Sequence, residues 1–357
     1  MSARPGRRLI AFAHERGGPA SRFRVEQFLP LLERAGWEVS LRTQHPARPW
    51  ESPYRSGAVR WLHRRARTSL RHVRRMRDVR DASAYDVVLL NRDLLGGRRE
   101  YEDELFRRNP RVVFDFDDAI YLGDKAAHFA GVCARAAWVT AGNETLAAFA
   151  RRHTDRVTVL PTVLDTDACV VRRDHSRDGR VRVGWLGSDR SIRETLLPHL
   201  ATLARLRDEL GFELVIVTKP APELPSALGA WRRVEWSPEV ETRIAELFDV
   251  GIMPLVDEPF QRGKCGLKLL QYMAAGLPAV ASPVGINARL LADGRGLCAT
   301  SADEWRDALA ALVGDAGLRA TLGAAGRAFV EERYALRAWL PVLEDILSRV
   351  AGAASRA

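Results

Sequence analysis

Along this chain, short continuous apolar runs take turns with longer stretches in which apolar residues return every third or fourth position. The runs at 9–13, 38–41, 87–90, 112–115, 136–141 and 157–160 predict buried strands. Between them, Phe23, Phe28, Leu31 and Leu32 mark a helix over 22–35 that Gly36 closes, and helices are also expected at 98–108 and 144–152. The rhythm breaks at 172–180, Arg-Arg-Asp-His-Ser-Arg-Asp-Gly-Arg, a charge-rich stretch that predicts an interdomain linker. It then resumes with strands at 181–188, 212–218, 233–236, 250–254, 279–282 and 297–299, and with helices at 194–210, 239–248, 266–275, 302–312 and 316–334. Strands alternating with helices argue for an α/β chain built on parallel, doubly wound sheets. The expected divisions are a Rossmann-like domain over 1–172, a second over 181–335, and a terminal segment over 336–357 carrying a last helix.

One stretch departs from this rhythm. From Arg55 to Arg80 there are ten arginines, and the only acid is Asp78. Leu62, Ala66, Leu70, Val73 and Met76 recur there at helical spacing, which predicts an amphipathic helix with a very basic polar face. Such a face suits an anionic membrane surface or a phosphate-bearing acceptor. It equally suits plain solvation in an arginine-rich protein. Nucleic acid is the weaker partner, because Trp61 is the only aromatic among the arginines and no nucleic-acid module is recognisable.

Composition narrows the class. With 357 residues, 46% apolar and 28% charged, the chain has the length and balance of a two-domain soluble protein. No run approaches the ~18 apolar residues of a membrane helix. Met1 to Arg8 leads into the first strand without a signal-peptide core, so a cytoplasmic location is expected, with peripheral contact at the inner face of the membrane as its natural extension. Cys133, Cys169, Cys265 and Cys298 are scattered, without Cys-x-x-Cys pairs or histidines at zinc spacing, and are expected to be reduced and mostly buried. Neither a metal nor a cofactor is expected.

The segment from Gly263 to Ser282 is the most informative. It reads as a loop, a helix opening at Gly266, a Gly-Pro break and a buried strand. Lys264, Lys268 and Gln271 follow i, i+4, i+7 spacing near the helix start, where orphan N–H groups and the helix dipole already favour an anion. With Pro283-Val284-Gly285-Ile286-Asn287 behind it, this stretch resembles the bacterial GT-B-fold glycosyltransferases of family four, in a subgroup with the pattern GKCG-x-K-LLQYMA-x-G-x-P-x-VAS-PVG. The resemblance implies two Rossmann-like domains facing across a cleft, a terminal helix crossing back to the first, and sugar transfer from a nucleotide diphosphate with retention. Most of that family carries two glutamates eight positions apart, where this chain has Gly263 and Gln271. A glutamine still offers an amide to a ribose hydroxyl, whereas a glycine offers only backbone.

The remaining candidates follow from strand ends. Gly187 and Ser188 close the first strand of the second domain, where an open parallel sheet binds ligands; the glycine would let backbone approach a pyrophosphate and Ser188 would cap the next helix. Arg190 and Arg193 follow, and Arg190 with Lys264 and Lys268 would compensate a departing diphosphate, Lys268 foremost. The resemblance places the nucleotide base near Trp236, with Lys219 beside it. In the first domain it places a glycine loop with Gly17, Gly18, Arg22 and Arg24 on the acceptor side, although these residues equally suit an ordinary strand-to-helix turn. Asp115, Asp117 and Asp118 crowd one strand end and need a cation, a hydrogen-bond network or sugar hydroxyls. Asp117 and Asp118 are read as orienting or deprotonating the acceptor, with helix capping by Asp118 as the bland alternative. Pro161 to Asp165 resembles a family signature and is read as structural.

The expectation is therefore a glycosyltransferase acting on a nucleotide sugar and a hydroxyl acceptor. Two alternatives stand beside it: a non-catalytic module of the same fold that binds membrane or nucleic acid through the basic helix, and a nucleotide-sugar epimerase.

Overall fold

The computed structural model describes residues 7–45, 56–96, 98–219 and 229–352. The chain divides into two compact units, one of Met1–Thr162 with Trp339–Ala357 and the other of Val163–Ala338. Residues 172–180, the expected linker, belong to the second unit. Arg172, Arg177 and Arg182 converge on the buried carboxylate of Asp249, so this charged stretch is held by ion pairs rather than strung between domains.

The first unit is a parallel six-stranded sheet of β1 (Arg7–Glu15), β2 (Trp37–His45), β3 (Val87–Asn91), β4 (Val112–Phe116), β5 (Trp138–Ala141) and β6 (Val157–Val159), in the order β2-β1-β3-β4-β5-β6. Leu9 pairs with Val39 on one side and Val87 on the other, which buries the apolar run of β1 on both edges. The second unit holds β7 (Arg182–Leu186), β8 (Glu213–Thr218), β9 (Arg232–Glu235), β10 (Val250–Met253), β11 (Ala279–Ala281) and β12 (Leu297–Cys298), in the order β12-β11-β10-β7-β8-β9. Counted from its own first strand this is the 3-2-1-4-5-6 order of the dinucleotide-binding Rossmann sheet. Its core gathers Trp185, Ile216, Ile252, Val280 and Leu309, all buried.

Helices depart from expectation where proline or glycine intervenes. The single helix expected at 22–35 is a turn at Pro19–Ser21, a π-helical stretch at Arg22–Glu26 and an α-helix at Leu29–Arg34. The one expected at 194–210 runs from a π-helical Ile192–Leu196 through a 3-10 turn at Leu197–His199 into Leu200–Leu210, because Pro198 has no N–H for the carbonyl one turn back. Ala126–Arg135 was not anticipated, its alanines and Gly131 having diluted the periodicity of Phe129, Val132 and Cys133. The terminal helix Leu336–Gly352 begins beside the bridge of Leu164 to Ala335, and further along Arg7 donates to Ser348.

The basic helix spans Gly57–Asp81; Arg55 lies outside the described residues. It is turned opposite to the usual sense. Arg75, Asp78 and Val79 are buried, Arg75 lying 5.4 Å from the ring centre of Phe12, and His72 hydrogen-bonds the Tyr101 hydroxyl. Leu62, Leu70 and Val73 face outward.

Candidate functional site

In open α/β sheets ligands sit outside the carboxyl ends of the strands, where the strand order reverses. In the second unit that point lies between β7 and β10, whose register pairs Gly184 with Gly251. Both glycines admit aromatic rings: a Cβ on Gly184 would lie 2.0 Å from the Phe248 ring, and one on Gly251 would lie 2.4 Å from the Tyr272 ring. Tyr272 thereby reaches across the switch point, donating its hydroxyl to Ile252 O at 3.1 Å and accepting from Leu186 N at 3.3 Å. Burial raises this phenol far above its ordinary range, so it stays a neutral bolt.

Tyr272 belongs to the helix Leu267–Ala274, and one turn earlier on the same face stands Lys268. The ammonium of Lys268 lies 5.3 Å from the ring centre of Trp185, and its Cε fills the space beside Gly187, where a Cβ would come within 3.0 Å of Cε and 2.5 Å of Trp185. Gly187 was expected to make room for a pyrophosphate; the room it makes is taken by the stem of Lys268. The helix starts at Leu267, one residue later than expected. Gly266 has φ +69° and cannot continue a helix backwards, so Lys264 lies in the preceding turn, 6.0 Å from the ring centre of Phe260.

The other candidates of this unit fall into pairs. Gln271, nearly buried, donates its amide to Glu241 on the helix Pro238–Thr242, so a carboxylate from outside the motif stands beside the glutamine. Ser188 caps the turn Asp189–Ser191 by accepting from Ser191 N at 3.3 Å. Arg190 pairs with Glu194 at 2.6 Å and Arg193 with Asp189 at 2.6 Å, both on exposed surface. Lys219 lies 4.9 Å from the ring centre of Trp236, at the carboxyl ends of β8 and β9.

The first unit presents its own strand ends. Arg24, expected on an acceptor loop, is instead turned into the core at 2% exposure, where its guanidinium makes a bidentate pair with Asp115 and donates to Leu160 O at 2.6 Å. Asn91 and Thr140 donate to the same carboxylate at 2.8 and 2.7 Å. Asp117 and Asp118 are both bound by Arg92, at 2.7 and 2.5 Å. Arg92 holds φ +63°, an unusual conformation for arginine that aims its fork at the pair. Burial opposes its charge, but Asp117 and Asp118 outweigh that and hold its pKa above the usual range. Gly17 has φ +74° and its N–H donates to Glu26 at 2.8 Å; Gly18 leaves 3.2 Å to Glu15. Arg22 lies over the Phe23 ring. Among the described residues no group of three or more His, Cys, Asp and Glu side chains is disposed to hold a metal ion.

Sequence reasoning missed Tyr272, Trp185, Glu241 and Arg92. Glycines inside two strands were a signal of close approach for the first, and the spacing of Tyr272 from Lys268 was another. Nothing in the sequence pointed to Arg92. Cys298 is exposed rather than buried, while burial pushes Cys133 up to about 12.

Two six-stranded parallel Rossmann-like sheets in one chain define the GT-B fold. Residues 180–315 match the family model described as Glycosyl transferases group 1. Over 241 residues the chain is 30% identical to a D-inositol 3-phosphate glycosyltransferase of Stackebrandtia nassauensis, covering 60% of this chain and 52% of that protein. The chain thus spans about half the length of the curated relative it matches. Sucrose-phosphate synthase from Thermosynechococcus elongatus superposes with a TM-score of 0.74 at 16% identity, over 98% of this chain and 100% of that one. HepE of Anabaena, solved with UDP and glucose, gives 0.65 at 15% over 96% and 99%. WaaG, a glycosyltransferase involved in lipopolysaccharide biosynthesis, gives 0.62 at 16% over 96% and 100%. At these identities the structures share the fold.

Proposed function

We propose that the chain is a glycosyltransferase that binds a nucleotide diphosphate sugar at the carboxyl edge of the second sheet and transfers the sugar, with retention, to a hydroxyl acceptor. The observation that carries this reading is Lys268, fixed by Tyr272 and packed on Gly187 and Trp185 at the strand-order switch. As the bond between sugar and diphosphate breaks, negative charge grows on the leaving oxygens. Lys268, Lys264 and the N–H groups opening Leu267–Ala274 compensate it without reorganising. Trp236 with Lys219 takes the base, and Gln271 with Glu241 takes the ribose, Glu241 supplying the carboxylate the motif lacks. The match over 180–315 and the relative named as a glycosyltransferase support this assignment. Asp117 and Asp118, held by Arg92, orient acceptor hydroxyls.

Titration of UDP and GDP against the wild type and Lys268→Ala tests the reading. At least one diphosphate should bind, and the variant should lose it about tenfold or more. Equal binding of both to both proteins removes the assignment. Transfer from a panel of nucleotide sugars separates an enzyme from a binding module, and interconversion of the donor without transfer would mark an epimerase. Because the compensating charge is protein-borne, transfer should survive EDTA; abolition with rescue by Mg²⁺ would reassign it to a metal.

A further inference from the structure

We infer that the outer face of the helix Gly57–Asp81 is a docking surface for an anionic lipid bilayer, with the apolar stripe inserted and the arginines on the headgroups. Of the six large hydrophobic residues exposed among the described residues, Val59, Trp61, Leu62, Leu70 and Val73 lie on this one helix. Leu62, Leu70 and Val73 are 64%, 67% and 68% exposed. At 3.6 residues per turn, Val59, Leu62, Ala66, Leu70 and Val73 fall within about 80° of arc. The opposite face is the one that packs on the sheet and on the helix Arg99–Arg108, and it carries the buried Arg75 and Asp78. A water-soluble helix normally buries such a stripe; here Arg75, Asp78 and Val79 make the core contacts and the stripe is left outside.

Charge selects the occupant. No acid occurs from Gly57 to Arg77, and Arg65, Arg74, Arg77 and Arg80 are exposed beside the stripe, Arg65 lying 4.9 Å from the ring centre of Trp61. A second copy docked by two-fold symmetry would set these arginines against themselves. A nucleic acid would satisfy the arginines and leave the stripe in water. An anionic bilayer meets both demands, with apolar side chains passing below the headgroups and guanidinium groups remaining at the phosphates. A helix of 25 residues, about 37 Å long, lies in the plane of such a surface. Among the described residues no single helix is long and apolar enough to cross a membrane. The inference stands apart from the donor chemistry, since binding to vesicles requires no sugar transfer.

The test is partition of the full chain onto phosphatidylglycerol-containing and pure phosphatidylcholine vesicles, with the variants Leu70→Asp/Val73→Asp and Arg74→Glu/Arg77→Glu. The wild type should prefer the anionic vesicles at least about tenfold, raised salt should weaken but not abolish binding, and each double variant should lower the partition coefficient about tenfold or more. The substituted side chains are exposed, so unchanged circular dichroism and melting should accompany the loss. A tryptophan placed on the stripe, Leu70→Trp, should show emission shifted to the blue on anionic vesicles relative to the wild type, a reading that needs neither double variant. Negligible binding to both vesicle types overturns the inference, as does full binding by Leu70→Asp/Val73→Asp. A wild-type dimer in sedimentation equilibrium that this variant splits, without vesicle binding, gives the face to a second copy instead.

Discussion

The carboxyl edges of the two sheets use charge in opposite ways. At the first, Asp115 is bound by Arg24, and Asp117 and Asp118 are bound by Arg92, so acids and bases answer one another within the fold. At the second, Lys268, Lys264 and Lys219 lie over Trp185, Phe260 and Trp236. A ring face attracts a cation without taking a directed N–H bond, whereas a bidentate carboxylate commits two of them. The buried pair of Arg24 and Asp115 builds structure, and the lysines of the second edge are suited to receive an anion. Substitutions at the two edges should therefore separate stability from binding.

The largest effect is expected at the first edge. Arg24→Ala leaves Asp115 at 1% exposure without its counter-charge, a loss of about 3–5 kcal/mol in urea unfolding for a broken buried pair. UDP or GDP binding measured well below the transition should stay at the wild-type level. A stability loss under about 1 kcal/mol would mean that Asn91 and Thr140 suffice for the carboxylate and that the Arg24 pair does not hold the fold.

The pH dependence comes next. Glu102 is buried, its carboxylate accepting from Leu94 N at 2.7 Å in the loop that also carries Arg92. Burial pushes it from 4.5 up to about 7, more than the Leu94 bond offsets. His128 stands 4.0 Å away, and burial lowers its pKa, so both groups favour their neutral forms and the contact is not an ion pair near neutrality. A carboxyl whose pKa is higher in the folded state stabilises fully below 4.5, and that contribution fades as pH rises through about 7. It amounts to about 3 kcal/mol at most. Urea midpoints should therefore fall between pH 5 and 7.5 by more in the wild type than in Glu102→Gln. Parallel pH profiles for the two proteins would locate the titration elsewhere.

Lys268→Ala is the converse of Arg24→Ala. Removing a half-buried lysine that packs on Gly187 should cost little stability while weakening nucleoside diphosphate binding by about 1.5–3 kcal/mol. A variant that loses stability but keeps affinity would make the lysine a packing residue and erase the contrast between the edges.

Both edges were half legible in the sequence. Runs such as 87–90 and 250–254 announced strands because parallel strands buried on both faces read as continuous apolar segments. Strand ends then announced where chemistry concentrates, which is how Gly187 and the aspartates were found, while lysine spacing at a helix start gave Lys268. Pairing was not legible. That Arg24 turns inward to Asp115, 91 positions away, depends on a register no local pattern encodes. The same holds for Gln271 meeting Glu241 across 30 positions. The basic helix shows the limit most plainly: periodicity gave its stripe, and only packing of Arg75 beneath Phe12 decided that the stripe faces outward.

The smallest effect is expected at Arg190. Its guanidinium is 71% exposed and pairs with Glu194 at 2.6 Å, an i, i+4 pair of a kind worth at most about 0.5 kcal/mol. Arg190→Ala should therefore leave unfolding nearly unchanged. For binding, the arginine must first leave Glu194, so its contribution to a bound diphosphate should stay below that of Lys268, a loss of less than about threefold against tenfold or more. Glu194→Gln supplies the complementary reading, because releasing Arg190 should raise diphosphate affinity if the guanidinium can reach it. Arg190 also lies 5.6 Å from the ring centre of Phe260, so a tenfold loss in Arg190→Ala would show that its exposed ion pair opens toward the ligand and that the ring contact decides its part.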